Sequence, residues 1–389
     1  MYLSRFGVKN YKCLGDIDIS LTPIHVLIGE NDSGKTSLLE AIQAFYGDMH
    51  QPESLFPGPW EGLELVRDQD ELKIPLYGEW GEKPEFEKHN PVNVGFDINF
   101  YAGCKIRADE YYKVLPDKAC LWGDPDFERI CKENNLDYSS LRLIENRIWK
   151  YRSNAVKYAF EPKILAAPSV SDPARRFRLD ADGFGLANLL DDILGNKPER
   201  FIELRTAFCK YFPQFASVRV ESSKGLRRKY SNDGTVISTD ENGKGIFFDT
   251  TSGYPIRAQQ ASDGAILLLG FLALAYLPEP PNLLLIEEPE NGIYPKRLEQ
   301  IITLLKELVT REEGVRFPQI VMTTHSPYLL SYFGPEEVTF LSRPKNDPSG
   351  PVRARPLKDA PHIHERMGGE FYLGELWYNL SEEDLFGAE

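Results

Sequence analysis

The spacing of apolar residues changes period several times along the chain, and each change predicts an element. Phe6 and Val8, then Ile17, Ile19 and Leu21, recur at alternate positions, and Ile24–Ile28 is a run apolar but for His25. Alternation followed by such a run predicts an edge hairpin leading into a buried strand. After Gly29 and Lys35, the spacing of Leu38, Leu39, Ala41, Ile42, Ala44 and Phe45 predicts a helix. Residues 50–90 are rich in proline and glycine and read as irregular connections around short strands. Val92–Phe100 alternates as a strand, Leu141–Tyr158 has helical spacing, and Ile164–Ala166 reads as a short strand. Two helices follow, Gly185–Leu194 and Glu199–Phe212, separated by Asn196-Lys197-Pro198. From Ala216 to Asp249, alternating runs broken at Asn232-Asp233-Gly234 and Asn242-Gly243 predict hairpins. The last third changes character. A helix over Ala261–Tyr276, a strand at Leu283–Ile286, a helix over Arg297–Thr310, strands at Ile320–Thr323 and Val338–Leu341, and a short helix near Phe371–Tyr378 predict a parallel α/β sheet.

The 389 residues suit two or three domains, or one with a large insertion. The longest apolar stretch, Ala265–Leu277, falls short of the ~20 residues a bilayer requires and predicts a core helix. The N-terminus has no apolar signal-peptide core, and the five cysteines are widely spaced with no C-x-x-C. These features predict a soluble cytoplasmic protein without a zinc knuckle or disulfide framework.

The segment GENDSGKT, Gly29 to Thr36, fits G-x-x-x-x-G-K-[ST] between a buried strand and a helix. Glycines at its ends let successive backbone N–H groups turn toward phosphate, and the helix N-terminus faces the same charge. Lys35 would neutralise β- and γ-phosphates, and Thr36 would offer its hydroxyl to Mg2+. Gly29, Glu30, Asn31, Asp32, Ser33, Gly34, Lys35, Thr36 and Ser37 are therefore the candidate ATP-binding residues, with Lys12 a further candidate to approach the phosphates.

A second motif, LLLIEEPE over residues 283–290, ends an apolar strand in adjacent carboxylates. Glu287 is the candidate Mg2+ residue and Glu288 the candidate base that orients the attacking water. A third strand ends in Thr323-Thr324-His325-Ser326-Pro327, which puts His325 at the carboxyl ends of the strands, where α/β proteins bind ligands. There it could sense the γ-phosphate.

In this order, GENDSGKT, Ser262-Asp263-Gly264 at a helix start, LLLIEEPENGIYP and TTHSP, the chain resembles the ABC-type ATPase heads of the RecF, SMC and overcoming-lysogenisation-defect (OLD) group. The opening FGVKNYKCLGDIDISL is similar to their first strands, and EEPE is similar to the OLD branch. The resemblance implies an α/β fold with a mostly parallel core sheet, an antiparallel β lobe and an α+β insertion between phosphate loop and signature. It implies head portions at 1–49 and 255–345, an insertion or lid at 50–254, and an acidic tail at 346–389. It also implies a homodimer, open to higher assembly, that buries two ATP molecules between phosphate loop and signature of opposite subunits. Ser262, Asp263 and Gly264 would be that signature, although Asp263 stands where the family usually has glycine. Read alone, Ser262 is a helix N-cap. About forty-five residues follow Leu341, with no acidic cluster typical of a Toprim nuclease, so any nuclease or other effector is expected on another polypeptide.

The formal net charge is −14, which excludes a protein that coats nucleic acid with its whole surface. Yet residues 150–230 hold sixteen Lys/Arg against nine Asp/Glu. Arg175, Arg176, Arg178, Arg227 and Arg228 could contact nucleic acid, dock an acidic protein, reach the nucleotide, or form a solvated hairpin. Two functions fit the whole. One is an ATP-hydrolysing dimeric switch in bacterial anti-phage defence or DNA repair. The other is a slow- or non-hydrolysing ATP-bound scaffold that sequesters a toxin or nuclease. A membrane-transporter motor fits less well, because the signature is degenerate and no membrane partner is encoded.

Overall fold

The computed structural model describes residues 2–47, 55, 63–68, 73–81, 93–101, 105–115, 118–121, 155–171, 176–230, 236–278, 280–291, 293–310, 319–344, 347–361, 363, 372–379 and 385–386. The chain forms two compact units: Met1–Val156 with Asn282–Leu285 and Pro318–Glu389, and Lys157–Pro281 with Ile286–Phe317.

In the first unit, β1 (Tyr2–Tyr11) and β2 (Leu14–Ser20) form the expected antiparallel hairpin, with Val8 opposite Ile17. Along β2, buried and more exposed residues alternate, so one face of the hairpin meets the core and the other meets water. β4 (Lys73–Gly81) pairs with the other edge of β1, and β5 (Asn93–Tyr101), β6 (Lys105–Leu115) and β7 (Lys118–Leu121) complete a sheet ordered β2-β1-β4-β5-β6-β7. A second sheet has β3 (Ile24–Ile28) inside it. β13 (Gln319–Thr324) and β14 (Val338–Ser342) lie parallel to β3 on either side, and β15 (Arg353–Pro356) pairs antiparallel with β14 at the edge. β12 (Leu283–Glu287) and then β8 (Ala155–Tyr158) extend the order beyond β13.

Helix α1 (Lys35–Phe45) contacts β1, β4 and β13. Its Leu38, Leu39, Ala41, Ile42 and Phe45 share one core with Leu3, Phe6, Ile74, Leu76, Leu27, Leu285 and Val321. Thus the helix entered through the phosphate loop is held by the centre of the unit rather than by its rim.

In the second unit, α2 (Pro162–Leu165) is a single helical turn, not the strand predicted over Ile164–Ala166. Pro162 opens it, and the Glu161 carbonyl accepts from both Ile164 and Leu165 N–H. Ala155–Tyr158, predicted as a helix end, is β8; residues 141–154 of that predicted helix lie outside the described residues. Helices α3 (Leu186–Asn196) and α4 (Pro198–Tyr211) appear as predicted. α5 (Asp263–Ala275) is buried on every side from Gly264 onward, as befits an almost wholly apolar helix. α6 (Pro295–Thr310) is amphipathic by its spacing. In the first unit again, α7 (Pro327–Leu330) follows β13, and α8 (Leu373–Asn379) packs on α7.

The predicted pair of hairpins is one long hairpin. β9 (Phe215–Tyr230) pairs with β10 (Val236–Thr250) almost throughout, and β11 (Pro255–Arg257) adds to β10. Asn242-Gly243 is no turn: it lies opposite Ser223 and Lys224 inside the ladder. Gly243 is there for close approach, because a Cβ would meet the backbone of Ser169 and Val170. Phe208 of α4 stacks with Phe212 just past the helix end and with Phe215 and Phe248 of the hairpin, whose own centroids lie 4.8 Å apart. Among the described residues, no helix is long and apolar enough to cross a membrane.

Candidate nucleotide site

The first unit supplies the phosphate loop. β3 ends at Ile28, and Gly29 follows where a Cβ would overlap the Leu341 carbonyl and the Ser33 hydroxyl. Gly34 is the N-cap of α1 with φ 85°, a left-handed conformation that favours glycine. A Cβ at Gly34 would lie 3.0 Å from Cys13 Sγ and 3.1 Å from Leu14 Cδ2. Asp32 also has positive φ, 62°, and the Arg343 guanidinium donates to its carbonyl at 3.2 Å. Lys35 is buried. Its ammonium donates to the carbonyls of Gly29 (2.9 Å) and Glu30 (2.6 Å) and lies 3.4 Å from Ser33 Oγ. Glu30, Asn31, Asp32 and Thr36 are exposed, while Ser37 is half-buried and accepts from Cys13 Sγ at 3.6 Å. The loop thus curls around its own lysine while its outer residues face water.

Parallel register puts Thr324 beside Ile28, so His325 follows β13 as Gly29 follows β3. His325 is exposed, and the Thr324 hydroxyl accepts from the Ser326 N–H, shaping the turn. The Lys12 ammonium bonds Glu40 of α1 at 2.6 Å, and the Tyr11 hydroxyl donates to the same carboxylate at 3.1 Å. Burial, then Glu40, raises the Tyr11 phenol well above its usual range.

The second unit supplies the carboxylates. Glu287 closes β12, and Lys157 of β8 donates to its Oε2 at 3.3 Å. Glu287 Oε1 is buried with no hydrogen-bond partner among the described residues. A buried carboxylate oxygen left without a donor is costly, and it suits a hydrated divalent cation. Glu288 has φ 45°, a strained conformation for a residue with a Cβ. Its Oε2 accepts from Asn291 Nδ2 at 2.8 Å, which fixes the side chain over its own turn. Ser262 is the N-cap of α5 without a side-chain capping bond. It and Asp263 are exposed, and Gly264 is buried. So the structure groups the phosphate loop with His325 in one unit, and Glu287, Glu288 and Ser262–Gly264 belong to the other.

Three of the arginines singled out in the basic segment meet acids. Arg228 is held by Asp182 at 2.7 Å and Asp180 at 3.8 Å, with its guanidinium 4.1 Å from the Phe184 ring centre. Arg227 pairs with Glu241, and Arg176 with Asp192 at 3.4 Å. Arg178 is exposed, and Arg175 lies outside the described residues. Sequence reasoning did not find Lys157, Arg343 or Cys13, because each reaches its partner only through the tertiary fold.

A phosphate loop between a central strand and α1, with a histidine ending the neighbouring parallel strand, belongs to an ABC-type ATPase of the RecF, SMC and OLD-like group. Residues 125–331 match the family model "AAA domain, putative AbiEii toxin, Type IV TA system", and the chain belongs to that family. Residues 1–119 match an AAA ATPase domain. The OLD nuclease of Thermus scotoductus (strain ATCC 700910 / SA-01) is 22% identical over 360 residues, covering 84% of this chain and 59% of that protein. The DNA replication and repair protein RecF of Rickettsia akari (strain Hartford) is 28% identical over 183 residues, 43% of this chain and 46% of that one. The chain therefore spans less than two thirds of each of these curated relatives. An SMC head solved bound to the C-winged helix domain of ScpA shares the fold, with a TM-score of 0.53, 12% identity, and coverage of 92% of this chain and 99% of that one.

Proposed function

We propose that the chain binds and hydrolyses ATP and uses it as a dimeric switch. The observation that carries this reading is the phosphate loop itself: a left-handed Gly34 opens α1, and the buried Lys35 is gathered by the loop's own carbonyls. Residues Gly29 to Ser37 would cradle the triphosphate, with Lys35 turning from its carbonyls to phosphate oxygens. Thr36 and Glu287 would hold Mg2+, and the unpartnered Glu287 Oε1 fits that role. When bound, the cation offsets phosphate charge. Glu288, held by Asn291, would take the proton from the attacking water. His325 would report the γ-phosphate, and Ser262, Asp263 and Gly264 would cap the nucleotide of a second copy. In this proposal residues 1–49 and 255–345 work as the head, 50–254 as an insertion and 346–389 as a tail.

The wider role, in anti-phage defence or DNA repair with a nuclease or other effector as companion, draws on the OLD and RecF relatives. Contact with nucleic acid through Arg176, Arg227 and Arg228 would require those arginines to leave their present carboxylates.

Lys35→Ala is expected to lose ATP binding. Glu288→Gln is expected to keep it and to lower turnover by about 10²–10⁴-fold. With Mg-ATP, native mass should give a dimer of the 44.3 kDa chain for Glu288→Gln, or that dimer with its effector. Equal turnover in wild type and Glu288→Gln would remove Glu288 as the base. One ATP held per site without turnover in the wild type would favour the sequestering scaffold.

A further inference from the structure

The second unit holds a concave site that shares no residue with the phosphate loop or the carboxylate turn. Its volume is about 730 Å³, and Ser171, Ser222, Ser223, Lys224, Asn242 and Lys244 contribute its polar wall beside the Arg227–Glu241 pair. That volume suits a small ligand or one segment of a larger one.

The floor of this hollow is built from backbone. Residues 168–170 lie against both strands of the β9–β10 hairpin. Ser169 exchanges two hydrogen bonds with Lys244, at 2.8 and 3.0 Å, and the Leu226 N–H and carbonyl bond Pro168 and Val170 at 3.1 and 3.0 Å. Gly225 and Gly243 face that segment at distances that leave no room for a Cβ. The three chain segments therefore hold the surrounding side chains on a fixed frame, so less conformational freedom is lost on binding.

The lining is chemically one-sided. Three cations and four neutral hydrogen-bonding side chains face one carboxylate, Glu241, and the Arg227 Nε donates to both of its oxygens at 3.0 Å. Elsewhere on the hairpin Arg219 pairs with Asp249 and Arg228 with Asp182, and within the hollow Lys244 pairs with Asp191 at 2.9 Å. Lys224 is exposed and, among the hairpin's described side chains, it alone is a cation that forms no ion pair. Among the described residues no aromatic side chain lines the hollow to give a base a stacking surface.

We propose that this hollow binds a phosphate group, with Lys224 as its principal charge and Lys244, Ser222, Ser223 and Asn242 as supporting donors. The ligand is recognised through phosphate and not through a base. This inference stands independently of ATP hydrolysis. The phosphate could come from a small phosphorylated molecule or from a nucleic-acid backbone, and the two sources separate in one experiment.

Lys35→Ala protein removes the phosphate loop from the measurement. In that background, pyrophosphate binding is followed by calorimetry, and a fluorescein-labelled 20-mer of oligothymidylate by anisotropy across a salt series. Adding Lys224→Ala should weaken the bound probe roughly tenfold, the size expected for one charge-assisted contact. Lys210→Ala, at an exposed lysine of α4 outside the hollow, should leave it unchanged. Pyrophosphate binding that depends on Lys224 supports the small-molecule source. Oligonucleotide binding that depends on Lys224, with a shallower salt dependence, supports the backbone source. Binding of neither probe, or equal binding with and without Lys224, overturns the proposal. Because Lys224 forms no ion pair among the described residues, thermal melting of the variant should match its parent.

Discussion

The phosphate loop and the carboxylate turn are both short loops after buried strands, yet they are specified in opposite ways. The Lys35 ammonium bonds the Gly29 and Glu30 carbonyls, six and five residues before it in the chain. Glu287 instead meets Lys157, 130 residues earlier in the chain, and keeps one oxygen without a donor among the described residues. In the first loop the lysine is met by backbone near it in the chain, with Arg343 adding a bond to the Asp32 carbonyl from far away. The second is a local strand end whose charge is balanced from far away. A site built this way has one half whose form the chain dictates directly and another that depends on the rest of its unit being folded.

The largest expected effect comes from breaking the local solution. Gly34→Val puts a β-branched residue at φ 85° and drives its Cβ toward Cys13 and Leu14. Left-handed backbone costs about 1–2 kcal/mol for a residue with a Cβ, and overpacking adds about 1–3 kcal/mol. Loss of about 3 kcal/mol in urea unfolding, together with loss of ATP binding, is expected. Cys13→Ala should restore part of the stability by opening space, but not the binding, since the backbone strain persists. If Gly34→Val bound ATP as well as the wild type, the left-handed cap would not be a requirement of the loop.

This contrast also explains what could be read from the chain alone. GENDSGKT announces its own geometry, because glycine at a left-handed cap and at a crowded strand end is a property of those positions. The apolar runs of β3, β12 and β13, and the helices α1, α3, α4, α5 and α6, were legible for the same reason. Period and end signals are local. What failed was also local in form but decided elsewhere. Asn242-Gly243 has the composition of a turn, yet it sits within a ladder because the Ser169 backbone packs against Gly243. Ile164–Ala166 has the branched and apolar residues of a strand, but Pro162 and the Glu161 carbonyl start a helical turn. Of the arginines singled out in the basic segment, Arg176, Arg227 and Arg228 are folded against Asp192, Glu241 and the pair Asp182 and Asp180, whereas Arg178 stays exposed. Charge along a chain is not charge on a surface.

A smaller effect probes the long-range half. Lys157 and Glu287 are each largely buried, at 16% and 19% side-chain exposure. Lys157→Met should leave a carboxylate without its ammonium and cost about 2 kcal/mol, below the figure for a fully buried pair. The double variant Lys157→Met with Glu287→Gln should regain most of that loss, since the stranded charge is gone. Additive losses in urea unfolding would mean the two side chains are independent. The pair would then be no more than a contact, and the contrast between the loops would weaken.

The smallest effect tests how local the contacts of the phosphate-loop half are. His25 stands inside β3, fully buried, and its partners come from both near and far. The Thr22 hydroxyl donates to the Ile24 carbonyl at 2.5 Å, so His25 Nδ1 must donate to Thr22 Oγ1 at 3.1 Å. Nε2 is then bare and accepts from the Thr339 hydroxyl of β14 at 2.9 Å. That arrangement satisfies a neutral ring. Burial, and secondarily Lys358, push the imidazole down to about 3. The unfolded chain takes up this proton below about pH 6.5, whereas the folded protein does not until about pH 3. His25 therefore contributes its full stability above pH 6.5, and stability falls as the pH drops through the window between these values. The slope approaches about 1.4 kcal/mol per pH unit for one proton. His25→Gln has no ring to titrate, so its stability subtracted from that of the wild type isolates this slope from the carboxylates. Urea midpoints at pH 7.5, 6, 5 and 4 should show the wild type losing ground relative to the variant. Parallel curves would mean that the ring is protonated in the folded protein, with Thr339 turned to accept from it. The strand that leads into the phosphate loop would then tolerate a charge that its apolar neighbours give no means to solvate.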